Sequence, residues 1–250
     1  MFLVLVLISL LSCSSGTPTV SNCRIVGGQD ILIEEVPYQI SLQYNNSHYC
    51  GGTIIAPNYI LTTAHCVEGT LEYPWSIRAG TSIREDGGQV ITVRTLTMHP
   101  LYNRDNGSPD YDIAVLELTA NLKLGFQVAV ISLPSENQTW PAGTDALISG
   151  WGLTENSTKA LNLQGATVQL INRNSCVAVY GYFVTDRMFC AGVDGGGIDA
   201  CDADSGGALQ IEGILVGLIS FGVGCGRPDY PGVYTNVSVL LDFIQDVTGL

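Results

Sequence analysis

The chain has 250 residues, enough for one large domain or two small ones and for a substantial core without metals or oligomerisation. Hydrophobic residues make up 46% and charged residues 13%, which excludes a disordered chain; 29 Gly and 10 Pro suit a turn-rich, all-β protein. A formal charge of −13, from 10 basic against 23 acidic residues, argues against nucleic acid and anionic lipid as partners and favours basic substrates.

Met1 to Ser12 carry no charge and are nearly all apolar, and the small residues Cys13-Ser14-Ser15-Gly16 follow. Residues 1–16 read as a secretory signal peptide cleaved near Ser15 or Gly16, although the n-region lacks Lys and Arg. The run is too short to be an obvious membrane span. A lipoprotein reading, with Cys13 acylated, applies only to a bacterial source. Beyond it, short apolar or alternating runs recur between turn residues: Tyr59–Thr62, Val90–Val93, Ile113–Leu118, Ala146–Ser149, Ala166–Leu170, Ile214–Phe221 and Gly232–Thr235. β-branched residues and Gly punctuation predict strands there, and many short strands suggest barrels or a sandwich. Leu240, Leu241, Ile244 and Val247 fall at helical spacing and predict a helix over about 237–247.

Eight cysteines sit at 13, 23, 50, 66, 176, 190, 201 and 225. Removing Cys13 with the signal leaves an odd number, so one is free, lost by processing or paired between chains. No Cys-x-x-Cys or His-Glu-x-x-His pattern points to a metal. Glycosylation sequons start at Asn45, Asn106, Asn137, Asn156 and Asn236.

Three segments carry chemistry: Leu61-Thr62-Thr63-Ala64-His65-Cys66, Asp110-Tyr111-Asp112-Ile113-Ala114, and Cys201-Asp202-Ala203-Asp204-Ser205-Gly206-Gly207. They supply a His, an Asp and a Ser in that order. Acyl transfer near neutral pH needs a hydroxyl nucleophile, an imidazole to take its proton and a carboxylate to orient the imidazole. The apolar flank of Asp112 suggests a partly buried carboxylate, which needs a partner such as His65. His48 and His99 read as ordinary structural histidines.

Thr-Ala-His-Cys and Asp-Ser-Gly-Gly in this order resemble the chymotrypsin/trypsin family of serine proteases. Arg24-Ile25-Val26-Gly27-Gly28, Gly150-Trp151-Gly152, Met188-Phe189-Cys190-Ala191-Gly192 and Pro231-Gly232-Val233-Tyr234-Thr235 extend the likeness from Arg24 to the C-terminus. The resemblance implies two antiparallel six-stranded β-barrels, about 25–130 and 131–235, with the catalytic cleft between them and a C-terminal helix. It implies catalysis by His65, Asp112 and Ser205, an oxyanion hole from the N–H groups of Ala203 and Ser205, and disulfides Cys50–Cys66, Cys176–Cys190 and Cys201–Cys225. Residues 17–24 become an activation propeptide that carries Cys23 away. Cleavage at Arg24-Ile25 frees an amine on Ile25 that pairs with Asp204.

By the same likeness, Asp199 at the base of the substrate pocket, between Gly222 and Gly232, reads as cleavage after Arg or Lys. Ala200, where a Ser is common, favours Arg, whose guanidinium can pair bidentately. Ser220 bonds Asp112, Phe221 walls the upstream subsites, and Asp202 adds negative field at the pocket mouth. The calcium loop of vertebrate trypsins is not matched at Thr81 and Ser82, so neither metal nor cofactor is expected. Partners are protein or peptide substrates and protein protease inhibitors, and the chain is expected to be a secreted monomer. Ala203 departs from the family's Gly, which keeps open a catalytically weak homologue acting as a binding or regulatory module, or a protease of broader specificity.

Overall fold

A computed structural model describes residues 25–69, 74–102, 108–154 and 158–250. The expected signal and propeptide, Cys23, Arg24 and the sequons at Asn106 and Asn156 lie outside the described residues.

The first half of the chain builds strands β1 (Gln29–Asp30), β2 (Gln39–Tyr44), β3 (Ser47–Ala56), β4 (Tyr59–Thr62), β5 (Trp75–Ala79), β6 (Gln89–Met98) and β7 (Ala114–Leu118). Strands β2 to β7 close into an antiparallel barrel in the order β2-β3-β4-β7-β6-β5. The hairpin β2–β3 turns on Asn45 and Asn46, with φ of 50° and 62°. That is the left-handed pair a two-residue hairpin loop needs, and Asn tolerates it.

The second half supplies β8 (Asp145–Gly150), β9 (Gln164–Leu170), β10 (Met188–Gly192), β11 (Ala208–Ile211), β12 (Ile214–Phe221) and β13 (Gly232–Asn236). They run β9-β10-β13-β12-β11-β8, and a β8–β9 pairing closes a second six-stranded barrel. Glu212 and Gly213, with φ of 50° and 79°, turn β11 into β12 in the same way. The chain changes barrels at Ile131 and Ser132: Ile131 N–H donates to Ile54 O at 3.0 Å, while Ser132 O accepts from Leu215 N–H at 2.9 Å.

Each barrel also borrows an end of the chain. Ile25 is buried among Ala146, Ile148 and Tyr234 of the second barrel, and β1 pairs with β9. The first barrel's own strands therefore begin at Gln39, later than the position near Ile25 that the family likeness implies. At the other end, a 3-10 turn (Val237–Val239) leads into helix α2 (Leu241–Thr248). Leu240, Phe243 and Ile244 of this segment are buried with Leu61, Ile113 and Val115 of the first barrel. The N- and C-terminal segments thus strap the two units together. Among the described residues no helix is long and apolar enough to cross a membrane.

Helix α1 (Arg173–Tyr180) is absent from the sequence reading. Its apolar residues, Cys176 to Tyr180, run consecutively, which hides the helical spacing of the two buried ones, Cys176 and Tyr180. An Asn172 side chain that accepts from Asn174 N–H at 2.8 Å starts it, and the Cys176–Cys190 disulfide ties it to β10.

Candidate active site

The cleft forms where loops of the two barrels meet. Thr63 leads from β4 into a single 3-10 turn, Ala64–Cys66, which presents His65 with its side chain 21% exposed. The Cys50–Cys66 disulfide fastens that turn to β3. Asp112, two residues before β7, is 1% exposed. Its Oδ1 accepts from the His65 backbone N–H at 2.9 Å, and its Oδ2 accepts from His65 Nδ1 at 2.8 Å and from Ser220 Oγ at 2.6 Å. The backbone carbonyl of Asp112 accepts from Thr235 Oγ at 2.9 Å. The imidazole is therefore held with Nδ1–H towards the acid and Nε2 free to act as an acceptor.

Ser205 comes from the other barrel, in the turn between the Cys201–Cys225 disulfide and β11. Its carbonyl accepts from Gly51 N–H at 2.8 Å, a main-chain bond across the seam. Cys66 Sγ lies 3.6 Å from that carbonyl and 3.9 Å from His65 Nε2, which places Ser205 beside the imidazole. No hydrogen bond joins Ser205 Oγ to His65 among the described residues. Such contacts are often loose without substrate and tighten in the Michaelis complex. Gly206 has φ of 81°, and a Cβ there would run into Thr62 and the Gly51 carbonyl, so only Gly lets the turn approach β3 and β4.

Ala203 also has φ above zero, at 74°. Its N–H and that of Ser205 meet no protein acceptor among the described residues. Two free N–H groups beside a hydroxyl can hold an oxyanion. Asp204, between them in sequence, is fully buried and accepts from Gly152 N–H at 2.7 Å and Cys201 N–H at 3.0 Å. Burial pushes its carboxyl up to about 7 despite those bonds, with Asp199 and Asp202 adding repulsion.

A cavity of about 270 Å³ opens next to Ser205, lined by Asp199, Ala200, Ser220, Gly222, Gly232 and Tyr234 among others, with Asp202 at its exposed edge. Asp199 is 3% exposed; its Oδ2 accepts from Gly226 N–H at 3.0 Å, while Oδ1 and the Tyr234 hydroxyl have no partner. Burial raises the Asp199 carboxyl to about 6 against the N–H groups of Gly226 and Ala200. A Cβ on Gly232 would come within 2.8 Å of Asp199 Oδ1, so Gly there keeps the carboxylate reachable. A larger concavity, about 360 Å³, lies on the second barrel near Trp140, Arg173 and Phe189; none of the predicted catalytic residues lines it. Cys50, Cys66 and His65 cluster closely enough for a metal, but both sulfurs are spent in a disulfide.

With this geometry in hand, comparison with known proteins is direct. The model of the family described as Trypsin matches residues 25–244. The chain belongs to the trypsin family of serine proteases. It is 40% identical over 244 residues to the "Vitellin-degrading protease" of Bombyx mori, covering 96% of this chain and 92% of that protein. It is also 40% identical to "Trypsin" of Simulium vittatum, covering 93% and 97%. The solved structure of neuropsin, a serine protease of mouse brain, superposes with a TM-score of 0.81 at 31% identity, covering 88% of this chain and 98% of that one. The chain is thus a serine endopeptidase with the two-barrel fold, acting on protein or peptide substrates.

In this trypsin-family site, sequence reasoning passed over His48. It is 1% exposed on β3 and bonds Ser41 Oγ through Nδ1 at 2.8 Å and the Ala203 carbonyl through Nε2 at 3.0 Å. A carbonyl only accepts, so Nε2 carries the proton and Nδ1 accepts from Ser41. The ring therefore fastens the carbonyl side of Ala203. Burial, reinforced by the charges of Lys159 and Arg84 and opposed by the Ala203 bond, lowers His48 to about 3. The signal was in the alternation of β3, where His48 and Cys50 face inward and Ser47 and Tyr49 outward.

A stability prediction follows from His48. Its folded-state value lies below the ordinary 6.5, so the unfolded chain takes the proton first. The stabilisation is complete above about pH 6.5 and is lost as pH falls towards 3, by up to a few kcal/mol. Urea unfolding of a Ser205→Ala chain, which cannot digest itself, should show this loss. His48→Gln, neutral at every pH, should flatten it; equal pH slopes in the two chains would show that His48 does not carry the dependence.

Proposed function

We propose that this chain is a secreted, trypsin-like endopeptidase that cleaves after Arg, and less readily after Lys, and is made as a zymogen. Its triad is His65, Asp112 and Ser205, and Ala203 and Ser205 donate to the oxyanion. The observation that carries the specificity is the buried Asp199 carboxylate with an unpartnered oxygen at the bottom of a glycine-walled pocket. A desolvated carboxylate of this kind is stabilised by an incoming cation. A guanidinium reaches it with two donors, and Ala200 offers no hydroxyl to solvate an ammonium. The unpartnered Tyr234 hydroxyl beside it also favours a ligand with several donors.

In the reaction, His65 Nε2 takes the Ser205 proton as Oγ attacks the carbonyl carbon. Negative charge moves onto the carbonyl oxygen, towards the two N–H groups. The imidazolium, steadied by Asp112, then protonates the leaving amine, and water repeats the cycle on the acyl-enzyme. Activation by cleavage at Arg24-Ile25 would supply the buried Asp204 with an ammonium partner and order the loop bearing Ala203, Ser205 and Asp199. The leader, the disulfides and the family support secretion. A weak homologue is disfavoured because the three reactive residues and both free N–H groups are present together.

Three measurements test this reading. First, Ser205→Ala and His65→Ala should each abolish peptide and ester hydrolysis without unfolding the chain. Arg24→Gln should block activation, and active enzyme should begin Ile25-Val26-Gly27-Gly28; substantial activity in both triad variants, or full activity with Arg24 uncut, refutes it.

Second, Asp199→Ser should lower kcat/KM for Arg substrates by about 10²–10⁴, the effect of breaking a buried charge pair worth about 3–5 kcal/mol. In the unaltered enzyme, protons compete with the substrate cation for Asp199. The ratio of kcat/KM for Arg over apolar substrates should therefore fall as pH drops through about 6. Changes in the triad cancel in that ratio, so a ratio flat from pH 5 to 8 would remove Asp199 from the pocket's chemistry.

Third, Ala203→Gly relieves a left-handed strain of about 1–2 kcal/mol. We expect kcat to rise less than about tenfold, because the donor is already present and losing it outright would cost about 10²–10³. Affinity for a rigid protein inhibitor should rise more, since the methyl crowds the leaving-group side. A hundredfold rise in kcat would favour the weak homologue instead.

A further inference from the structure

The residue before Asp112 has an unfavourable backbone. Tyr111 sits at φ of 55°, in the left-handed region that bulky side chains avoid. Ile113 N–H donates back to Tyr111 O at 2.8 Å, so Asp112 occupies the centre of a tight turn whose first residue is strained. Such a conformation persists only where the surroundings impose it.

The surroundings are specific, and most of them come from the other barrel. Asp110 Oδ1 accepts from Arg187 Nε at 3.1 Å and from Thr185 Oγ at 2.7 Å, and Asp110 Oδ2 accepts from Arg187 Nη2. Asp110 Oδ1 also accepts from the Tyr111 N–H at 3.0 Å. The Arg187 guanidinium lies over the Tyr111 ring at 4.7 Å, and His99, at the end of β6, stacks on that ring at 4.5 Å and 22°. Arg187 is itself fixed, since its carbonyl accepts from Asn236 N–H at 2.8 Å at the end of β13. One arginine thus holds both the carboxylate and the ring of the two residues that lead into Asp112.

We propose that the Asp110–Arg187 pair is a positioning clamp for the catalytic carboxylate, fixing Tyr111 in its left-handed conformation so that Asp112 stays in register with His65. The inference rests on the assignment of Asp112 to the triad. Arg187 touches neither substrate nor reacting atoms and acts through Tyr111. Among the described residues, the other charged or titratable groups facing the clamp are His99, Tyr111 and Asp186. Burial opposes ionisation of Asp110, but the bonds from Arg187 and Thr185 and the guanidinium charge hold it below its ordinary value; the same partner raises Arg187. The pair stays ionised through the enzyme's working range.

The test compares activated variants on a small Arg ester, with each concentration fixed by active-site titration so that only folded enzyme is counted. Arg187→Ala and Asp110→Asn should lower kcat by about tenfold to a hundredfold, the effect of a misplacement of about an ångström, with KM within about twofold. A carboxylate held less well stabilises the imidazolium less, so the acid limb of the kcat/KM profile should move to lower pH by about half a unit. Arg187→Lys keeps the charge without the fork and should fall between. Adding Tyr111→Asn to Arg187→Ala should recover part of kcat, because Asn adopts the left-handed region readily.

An Arg187→Ala enzyme with kcat within about twofold of the original and an unmoved acid limb would overturn the clamp, whatever its melting temperature. So would a double variant that recovers nothing. Should Arg187→Ala fail to fold, Arg187→Lys and Asp110→Asn are read by the same criteria. Asp112→Asn is run alongside. Full activity there would reject the triad assignment itself, an outcome distinct from failure of the clamp.

Discussion

A buried carboxylate between two barrels sets the terms for the rest of the molecule. Asp112 is 1% exposed, and a carboxyl group so deep is costly unless hydrogen-bond donors surround it. The donors come from both sides of the seam: His65 through N–H and Nδ1 from the first barrel, Ser220 from the second, with Thr235 on the main-chain carbonyl. Neither barrel alone could satisfy the acid. The arrangement that orients His65 against Asp112 is therefore also one that fixes how the barrels sit. The chain ends reinforce it, since the N-terminal strand joins the second barrel and the C-terminal helix packs on the first.

Two further buried acids in the second barrel are treated differently, and the difference tracks where a positive charge is needed. The Asp112 carboxylate collects three hydrogen bonds, two from side chains and one from a backbone N–H. Asp204 has two backbone N–H groups and is still raised to about 7. Asp199 keeps one oxygen unpartnered and is raised to about 6. Under the proposed function, the first acid is complete within the fold, the second awaits the amine released by activation, and the third awaits the substrate. A chain of charge −13 holds few cations to spare for such positions. On that function, two of its buried acids are left to positive charges supplied by cleavage at Arg24-Ile25 and by the substrate.

How far the sequence could be read depended on whether a signal was local. Strands β4 and β12 were legible to their end residues, because an apolar run between turn residues defines each by itself. The helix near the C-terminus was legible from its spacing, although its first turn is 3-10 and the α-helical part begins at Leu241. The catalytic candidates were legible through their segments. His48 was not, because its partner Ala203 is 155 residues away and a lone histidine usually carries no meaning. Asp110 and Arg187, 77 residues apart, escaped for the same reason. The pairing belongs to the seam, and nothing in either local segment announces it.

The alanine at 203 shows how such distant contacts bear on chemistry. A left-handed Ala is strained by about 1–2 kcal/mol, which alone would favour a peptide flip that turns its N–H away from the oxyanion. That flip turns the whole Asp202–Ala203 peptide, so it also swings the Asp202 carbonyl, which accepts from Leu153 N–H at 2.8 Å. Losing that bond costs about 0.5–1.5 kcal/mol. The two terms are of similar size and opposite sign. His48 holds the Ala203 carbonyl on the next peptide, so the strained residue is fixed on both sides. The same logic applies at Tyr111, where strain next to a reactive residue is also held from the opposite barrel. Under the proposed function, each of these left-handed residues neighbours a catalytic group and has a contact that crosses the seam, which makes the interface between the barrels part of the catalytic apparatus.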